Sequence, residues 1–301
     1  MHRAEFFWQS FAGSYQKLHD YYDVAIGYQQ GLSTYFVADK VSASRKICWI
    51  NGDIEASRHL KGYCRKYYAE FDNVVTPSEI LLGKMAKSEF IKYPERLVCI
   101  NDIINPEVIG SLSHEFTPFE KSASCVHLTT VGRLVKEKGY NLLMDAAEIL
   151  RNSGVEFQWH IIGTGPLKEE LGKSIADKSL NGFVILEGLQ TNPYPYIANC
   201  DIYVQTSIHE GFGITVGEAK VLHKPIVCTN FPVVYDQLED HVNGVIVGMN
   251  GVSIADGIKE LLSDNSLRER LILNLRQDNN ASTTTESLKL QNLILNGKSS
   301  D

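Results

Sequence analysis

Between residues 126 and 262 the sequence alternates between two periods, and this alternation constrains the fold more than any other feature. Short apolar runs of strand length fall at 126–131, 157–162, 183–186, 201–205, 225–228 and 245–247. Between them lie stretches with helical spacing of apolar residues, at 140–152, 166–178, 215–223, 233–239 and 252–262. A strand followed by a helix and another strand returns in parallel, and helices then cover both faces of the sheet. The pattern predicts a doubly wound α/β domain. Such sheets bind ligands at the carboxyl ends of their strands. The glycine- and charge-rich segments of this chain lie there.

The first part shows the same alternation more sparsely. Strands are expected at 24–28, 46–50, 73–76 and 97–100, with helices over 54–71 and 78–90. Residues 105–124, with Pro106 and Pro118, read as a linker. The expected domains are therefore 1–118 with the linker, 119–275, and a polar tail at 276–301 whose 288–295 part forms a helix. A chain of 301 residues suits two domains.

Apolar residues at 44% and charged residues at 22% exclude a disordered or fibrous chain. The net charge of −7 argues against nucleic acid as a partner. Residues 1–118 carry 13 Lys/Arg and 14 Asp/Glu, whereas 119–301 carry 16 and 22. No run approaches the ~18 apolar residues of a membrane span, and the first 20 residues lack a continuous apolar stretch of signal-peptide type. The six cysteines are widely spaced, so buried free thiols in a reducing cytoplasm are expected. The nine histidines show no metal-ligand spacing, so no metal or cofactor is expected.

Three segments carry chemistry. His209-Glu210-Gly211-Phe212-Gly213-Ile214-Thr215-Val216-Gly217-Glu218 follows a strand. Its glycines let the backbone turn sharply and approach a ligand. A helix opening near Thr215 would aim free N–H groups at an anion. Glu210 and Glu218 can face the same crevice; a plain strand–loop–helix joint is the blander reading. In the second segment, 131–140, Arg133 offers a forked donor and Lys138 a point charge for phosphate oxygens. The third, Gly163-Thr164-Gly165-Pro166, begins like a dinucleotide fingerprint. Lys168 stands in place of the third glycine, so a tight turn lining a cleft fits better.

Together, GRLVKEKG at 132–139, IIGTGP at 161–166, NPYPYIANCDIYVQTS at 192–207 and the E-x7-E of 210–218 resemble family 4 retaining glycosyltransferases. The likeness covers about residues 22–262 and is nearest to bacterial enzymes of capsule, O-antigen or exopolysaccharide assembly. It implies the GT-B fold, two Rossmann-like domains facing across a cleft. It also implies a nucleotide-sugar donor, often UDP-linked, with no bound metal. By that resemblance Arg133 and Lys138 hold the donor diphosphate. Gly163, Gly211, Phe212, Gly213, Ile214 and Thr215 line the donor site, Glu210 meets the sugar and Glu218 the ribose diol. The acceptor would be a saccharide or a lipid-linked saccharide, with peripheral contact at the inner membrane face.

Two departures from the family pattern stand out. The segment that commonly reads W-I-H-x-D is here Trp49-Ile50-Asn51-Gly52-Asp53. Asn51 can hydrogen-bond but cannot titrate near neutral pH. Asp53 orients an acceptor or caps the following helix. The family's opening strand and glycine-rich loop are not found in residues 1–20, so the first domain reads as incomplete. A non-catalytic, nucleotide-binding remnant or accessory subunit is therefore the rival reading. Arg58, Lys61, Arg65 and Lys66, interleaved with Tyr63, Tyr67 and Tyr68, suit either anionic headgroups or a solvated helix face. Nearby Glu55, Glu70 and Asp72 weigh toward the second.

Overall fold

A computed structural model of the chain describes residues 2–55, 59–122, 124–277 and 281–296. It divides into two compact units, Met1–Ile103 with Ala281–Asp301, and Ile104–Asn280. Each is a parallel α/β layer structure.

The first unit runs α1 (Arg3–Phe11), β1 (Tyr21–Gly27), α2 (Leu32–Lys40), β2 (Ser42–Trp49), α3 (Lys61–Tyr68), β3 (Asn73–Thr76), α4 (Glu79–Ala86) and β4 (Leu97–Cys99). Its strands pair in parallel in the order β1-β2-β3-β4. Successive residues of a strand point to opposite faces. Cys48 accordingly joins a core with Phe71, Val74 and Met85, while Ile47 and Trp49 pack with Val75 and Ile100 on the other side.

The second unit runs α5 (Pro106–Leu112), β5 (Val126–Val131), α6 (Tyr140–Asn152), β6 (Phe157–Ile162), α7 (Lys168–Asp177), β7 (Val184–Gly188), α8 (Tyr194–Asn199), β8 (Ile202–Gln205), α9 (Ile214–Val221), β9 (Ile226–Thr229), β10 (Val245–Val247), α10 (Gly251–Ser263) and α11 (Asn265–Gln277). Strand order is β10-β9-β8-β5-β6-β7, all parallel. The chain winds outward from β5 to β7, then restarts at β8 on the other side of β5. The β5/β8 boundary is thus the switch point, where diverging connections leave a crevice above the strand ends.

Several sequence expectations are corrected. The boundary falls at 103/104 rather than 118, because 105–124 is not a plain linker. Asn105 caps α5 by accepting from the N–H groups of Glu107 and Val108, and Pro106 occupies the first helical position. The tail is not separate. It forms α12 (Ala281–Asn296), which packs on the first unit through Leu293. There Arg45 donates to the carbonyls of Leu293 and Ile294 at 2.9 and 2.7 Å, satisfying orphan acceptors near the helix end. Among the described residues, the expected helix over 54–71 is only α3. Asp53 Oδ1 accepts from Glu55 N–H at 3.0 Å and closes a local turn, so it does not cap α3. Arg58 lies outside the described residues, as do 297–301. Tyr67 and Tyr68 are buried, which takes them out of any surface patch. Residues 233–239 form only a short 3₁₀ segment, Pro232–Asp236.

Candidate donor site at the switch point of the second sheet

Three loops at the carboxyl rim of the second sheet are locked together by their backbones. Gly139 has φ +64°, and a Cβ there would lie 2.0 Å from the Thr206 carbonyl oxygen. Only glycine allows the loop after β5 to press so closely on the loop after β8. Thr206 Oγ1 donates to the Lys138 carbonyl at 2.9 Å and Ile208 N–H to the Glu137 carbonyl at 2.8 Å. Gly163, at φ +145°, brings the loop after β6 against the Gly132 carbonyl, 2.0 Å from where a Cβ would stand.

Glu210 is the anchor of this rim. Its Oε1 accepts from Lys138 Nζ at 2.6 Å, from Gln205 Nε2 at 2.8 Å and from Ser207 Oγ at 2.6 Å. The Lys138 and Glu210 side chains are 17% and 12% exposed, so the pair is shielded from solvent yet reachable. Gln205 Oε1 accepts from Tyr203 Oη at 2.7 Å and Thr215 Oγ1 at 3.2 Å, which extends the network to α9.

Gly213, at φ +91°, caps α9 without a side-chain bond. The first-turn N–H groups and the positive end of the helix dipole thus lie beside Glu210 and the loop residues Gly211 and Phe212. Ile214 is exposed. Gln237 Nε2 donates to the carbonyls of Phe212 and Gly213 and holds the turn from below. Glu218, in the second turn of α9, accepts from Tyr194 Oη at 3.1 Å. Burial raises the Glu218 carboxyl above the usual range, against the Tyr194 hydrogen bond and the Lys138 charge, which lower it. The Tyr194 hydroxyl is itself pushed up to about 12 by burial and by Glu218. Arg133 is exposed and has no side-chain hydrogen bond or ion pair among the described residues.

Chemically, the rim combines an exposed guanidinium, a held ammonium, the N–H groups of Ile214 and Thr215 at the start of α9 and two carboxylates. The first three suit a diphosphate and the carboxylates suit hydroxyls. The positioning residues Gln205, Ser207, Tyr194 and Gln237 had no role assigned from sequence. Their polarity inside or beside apolar strand patterns was the available signal.

Asn51 and Asp53 lie in the first unit, just beyond the carboxyl end of β2. Asn51 N–H donates to Gln30 Oε1 at 3.0 Å, its Nδ2 donates to the Tyr28 carbonyl at 3.2 Å, and Lys84 pairs with Asp53 Oδ2 at 2.9 Å. One metal-competent group occurs among the described residues, Glu5, His59 and Cys64 of the first unit. Glu5 Oε1 already accepts from Leu60 N–H at 2.8 Å, and His59 Nδ1 and Cys64 Sγ lie 2.9 and 3.4 Å from it.

Solved structures share this architecture. The crystal structure of TarM superposes with a TM-score of 0.73 at 21% identity, over 90% of this chain and 54% of that one. Anabaena HepE in complex with UDP superposes with a TM-score of 0.69 at 16% identity, over 83% of this chain and 72% of that one. The fold is GT-B. Residues 124–278 match the family of glycosyl transferases group 1, and the chain belongs to it.

Similar sequences include bacterial glycosyltransferases. The poly(ribitol-phosphate) alpha-N-acetylglucosaminyltransferase of Staphylococcus aureus is 30% identical over 162 residues, 52% of this chain and 32% of that protein. An N-acetylgalactosamine-N,N'-diacetylbacillosaminyl-diphospho-undecaprenol 4-alpha-N-acetylgalactosaminyltransferase of Campylobacter jejuni is 33% identical over 178 residues, 58% of this chain and 47% of that protein. The chain thus spans a third to a half of the length of these relatives. No helix among the described residues is long and apolar enough to cross a membrane.

Proposed function

We propose that the chain is a retaining, metal-independent glycosyltransferase of family 4 type. It moves a sugar from a UDP-linked donor to a saccharide or lipid-linked acceptor in surface-polysaccharide assembly. The carrying observation is the convergence at the β5/β8 switch point of Arg133, Lys138 and the open first turn of α9 around Glu210 and Glu218. UDP in the HepE structure and the relatives' acceptor names support the donor and acceptor classes. All six cysteines are free thiols, which suits a cytoplasmic enzyme.

The bond between the sugar's anomeric carbon and the diphosphate oxygen breaks, a bond to an acceptor oxygen forms on the same face, and the acceptor hydroxyl's proton passes to the departing diphosphate oxygen. Negative charge grows on the leaving diphosphate. Lys138, held by Glu210, and the N–H groups at the start of α9 stabilise it from fixed positions, a preorganisation that water cannot match, and the exposed Arg133 adds a second cation. Glu210 is a poor nucleophile, because three donors draw on one of its oxygens. Its role is to fix Lys138 and to hold sugar hydroxyls. Glu218 accepts from the ribose diol. In the first unit, Asn51 and Asp53 orient the acceptor.

Calorimetry with UDP and a transfer assay with UDP-sugars test this reading together. UDP binding that Lys138→Ala weakens, and a product whose anomeric proton shows the donor's configuration by NMR, are expected. An inverted product would overturn retention. UDP binding without transfer to any saccharide acceptor would favour the accessory subunit.

A further inference from the structure

The second sheet has another rim, opposite the donor site. At the amino ends of β5, β8 and β9 a cavity of about 540 Å³ opens beside Val126, Ile202 and Pro225. Arg268, Ile272 and Arg276 of α11 line it, spaced four apart and so on one helix face. Lys121 reaches it from the segment before β5, and His223 and Lys224 from the turn before β9.

Five basic side chains thus surround one acid, Asp201. Asp201 is already engaged, since its Oδ2 accepts the His127 N–H at 2.8 Å. None of the five basic groups is in an ion pair among the described residues. Lys224 donates to the Ala198 carbonyl at 3.0 Å and Arg268 to the Leu261 carbonyl at 2.9 Å, contacts that orient the groups without cancelling their charge. Burial lowers the proton affinity of Lys224; Lys121 lowers it further, against Cys200 and Asp201, which raise it. Burial and then Arg276 do the same to His223. Lys121 and Lys224 are therefore close enough to repel one another, as are Arg276 and the His223 imidazole when it is protonated. Residues 119–301 are acidic overall, with 16 Lys/Arg and 22 Asp/Glu, so such a gathering is not a consequence of composition. Like charges collected at a partly desolvated rim cost free energy, which a bound anion would offset.

We propose that this rim is a second anion site, distinct from the donor site, which takes the phosphate of a small phosphate ester or of a lipid headgroup. The shared chemistry is a phosphate held by Lys121, His223, Lys224, Arg268 and Arg276. Inorganic pyrophosphate is the soluble probe, titrated by calorimetry into an Arg133→Ala/Lys138→Ala protein so that the donor site does not compete. Phosphatidylglycerol vesicles, with phosphatidylcholine vesicles as control, are the lipid probe in a sedimentation assay. Pyrophosphate binding that falls roughly tenfold on adding Lys121→Ala and Arg276→Ala is expected for a free ester. Vesicle binding lost in the same variant, with no pyrophosphate binding, supports the headgroup. Both substituted residues are exposed, so their loss leaves the fold intact, which the melting temperature checks. Failure to bind either probe, or binding unchanged by the two substitutions, overturns the proposal.

Discussion

The two parallel sheets of this protein end very differently at their carboxyl rims. In the second unit the loops after β5, β6 and β8 are pressed backbone to backbone at Gly139 and Gly163, and Glu210 is held by three donors at once. In the first unit the loop after β2 is held by side chains, Gln30 to Asn51 and Lys84 to Asp53. The Lys84 end of the latter pair is 42% exposed, so it contributes little. Backbone packing sets a geometry that tolerates little variation, which fits the diphosphate-binding role proposed for this rim. Side-chain tethers hold a surface that can vary, which fits the acceptor role proposed for the first unit.

The sharpest way to break this contrast is Glu210→Ala. Transfer is expected to fall by about 10³-fold, since both the proposed sugar contact and the partner of Lys138 are lost. A turnover assay on protein with an unchanged circular dichroism spectrum checks it, and undiminished turnover would remove Glu210 from the mechanism. Next in size is Gly139→Ala, which forces a Cβ into the Thr206 carbonyl at positive φ. A loss of about 3 kcal/mol in denaturant unfolding is expected, and a stability change below about 0.5 kcal/mol would mean the rim yields easily.

Arg133→Ala should weaken UDP binding by roughly tenfold to thirtyfold in calorimetry, with no change in melting temperature, because the group is exposed and free of other bonds. Glu218 supplies a pH test. A raised carboxyl pKa means that protonation sets in at a higher pH than the ordinary ~4.3 of a glutamate. UDP affinity should therefore decline as pH falls while ordinary carboxylates are still charged. Glu218→Gln should remove that dependence. The smallest effect is expected in the other unit. Asn51→Ala should change the KM for acceptor by only about threefold and leave UDP affinity untouched. A matching loss of UDP affinity would erase the distinction between the two rims.

The two units were also unequally legible. In the second, β5, β6, β10 and α6 lie where the apolar periodicity placed them, because both sheet faces there are covered and the strands read as continuous apolar runs. In the first, β1 begins at Tyr21 rather than 24 and β2 at Ser42 rather than 46. The amino halves of these strands are exposed or half-buried, so only their carboxyl halves carry an apolar signal. Pro106 suggested a break, whereas the neighbouring Asn105 makes it a helix start. Of the candidate site, the glycines and charged residues were visible as loop motifs. Gln205, Ser207 and Tyr194 were not, because a polar residue in a strand or helix does not declare which neighbour it will meet.

The sequence alone determined the strand–helix alternation, the glycines that only a tight turn explains and the charged residues that follow the strands, since each is a local consequence of period and backbone freedom. Tertiary structure alone decided three further features. Lys138 and Glu210, 72 positions apart, became one ion pair. The polar tail became a helix on the first sheet. Basic side chains from 121 to 276 came to share one cavity. Each depends on which distant segments the sheet order brings together, and periodicity carries no information about that.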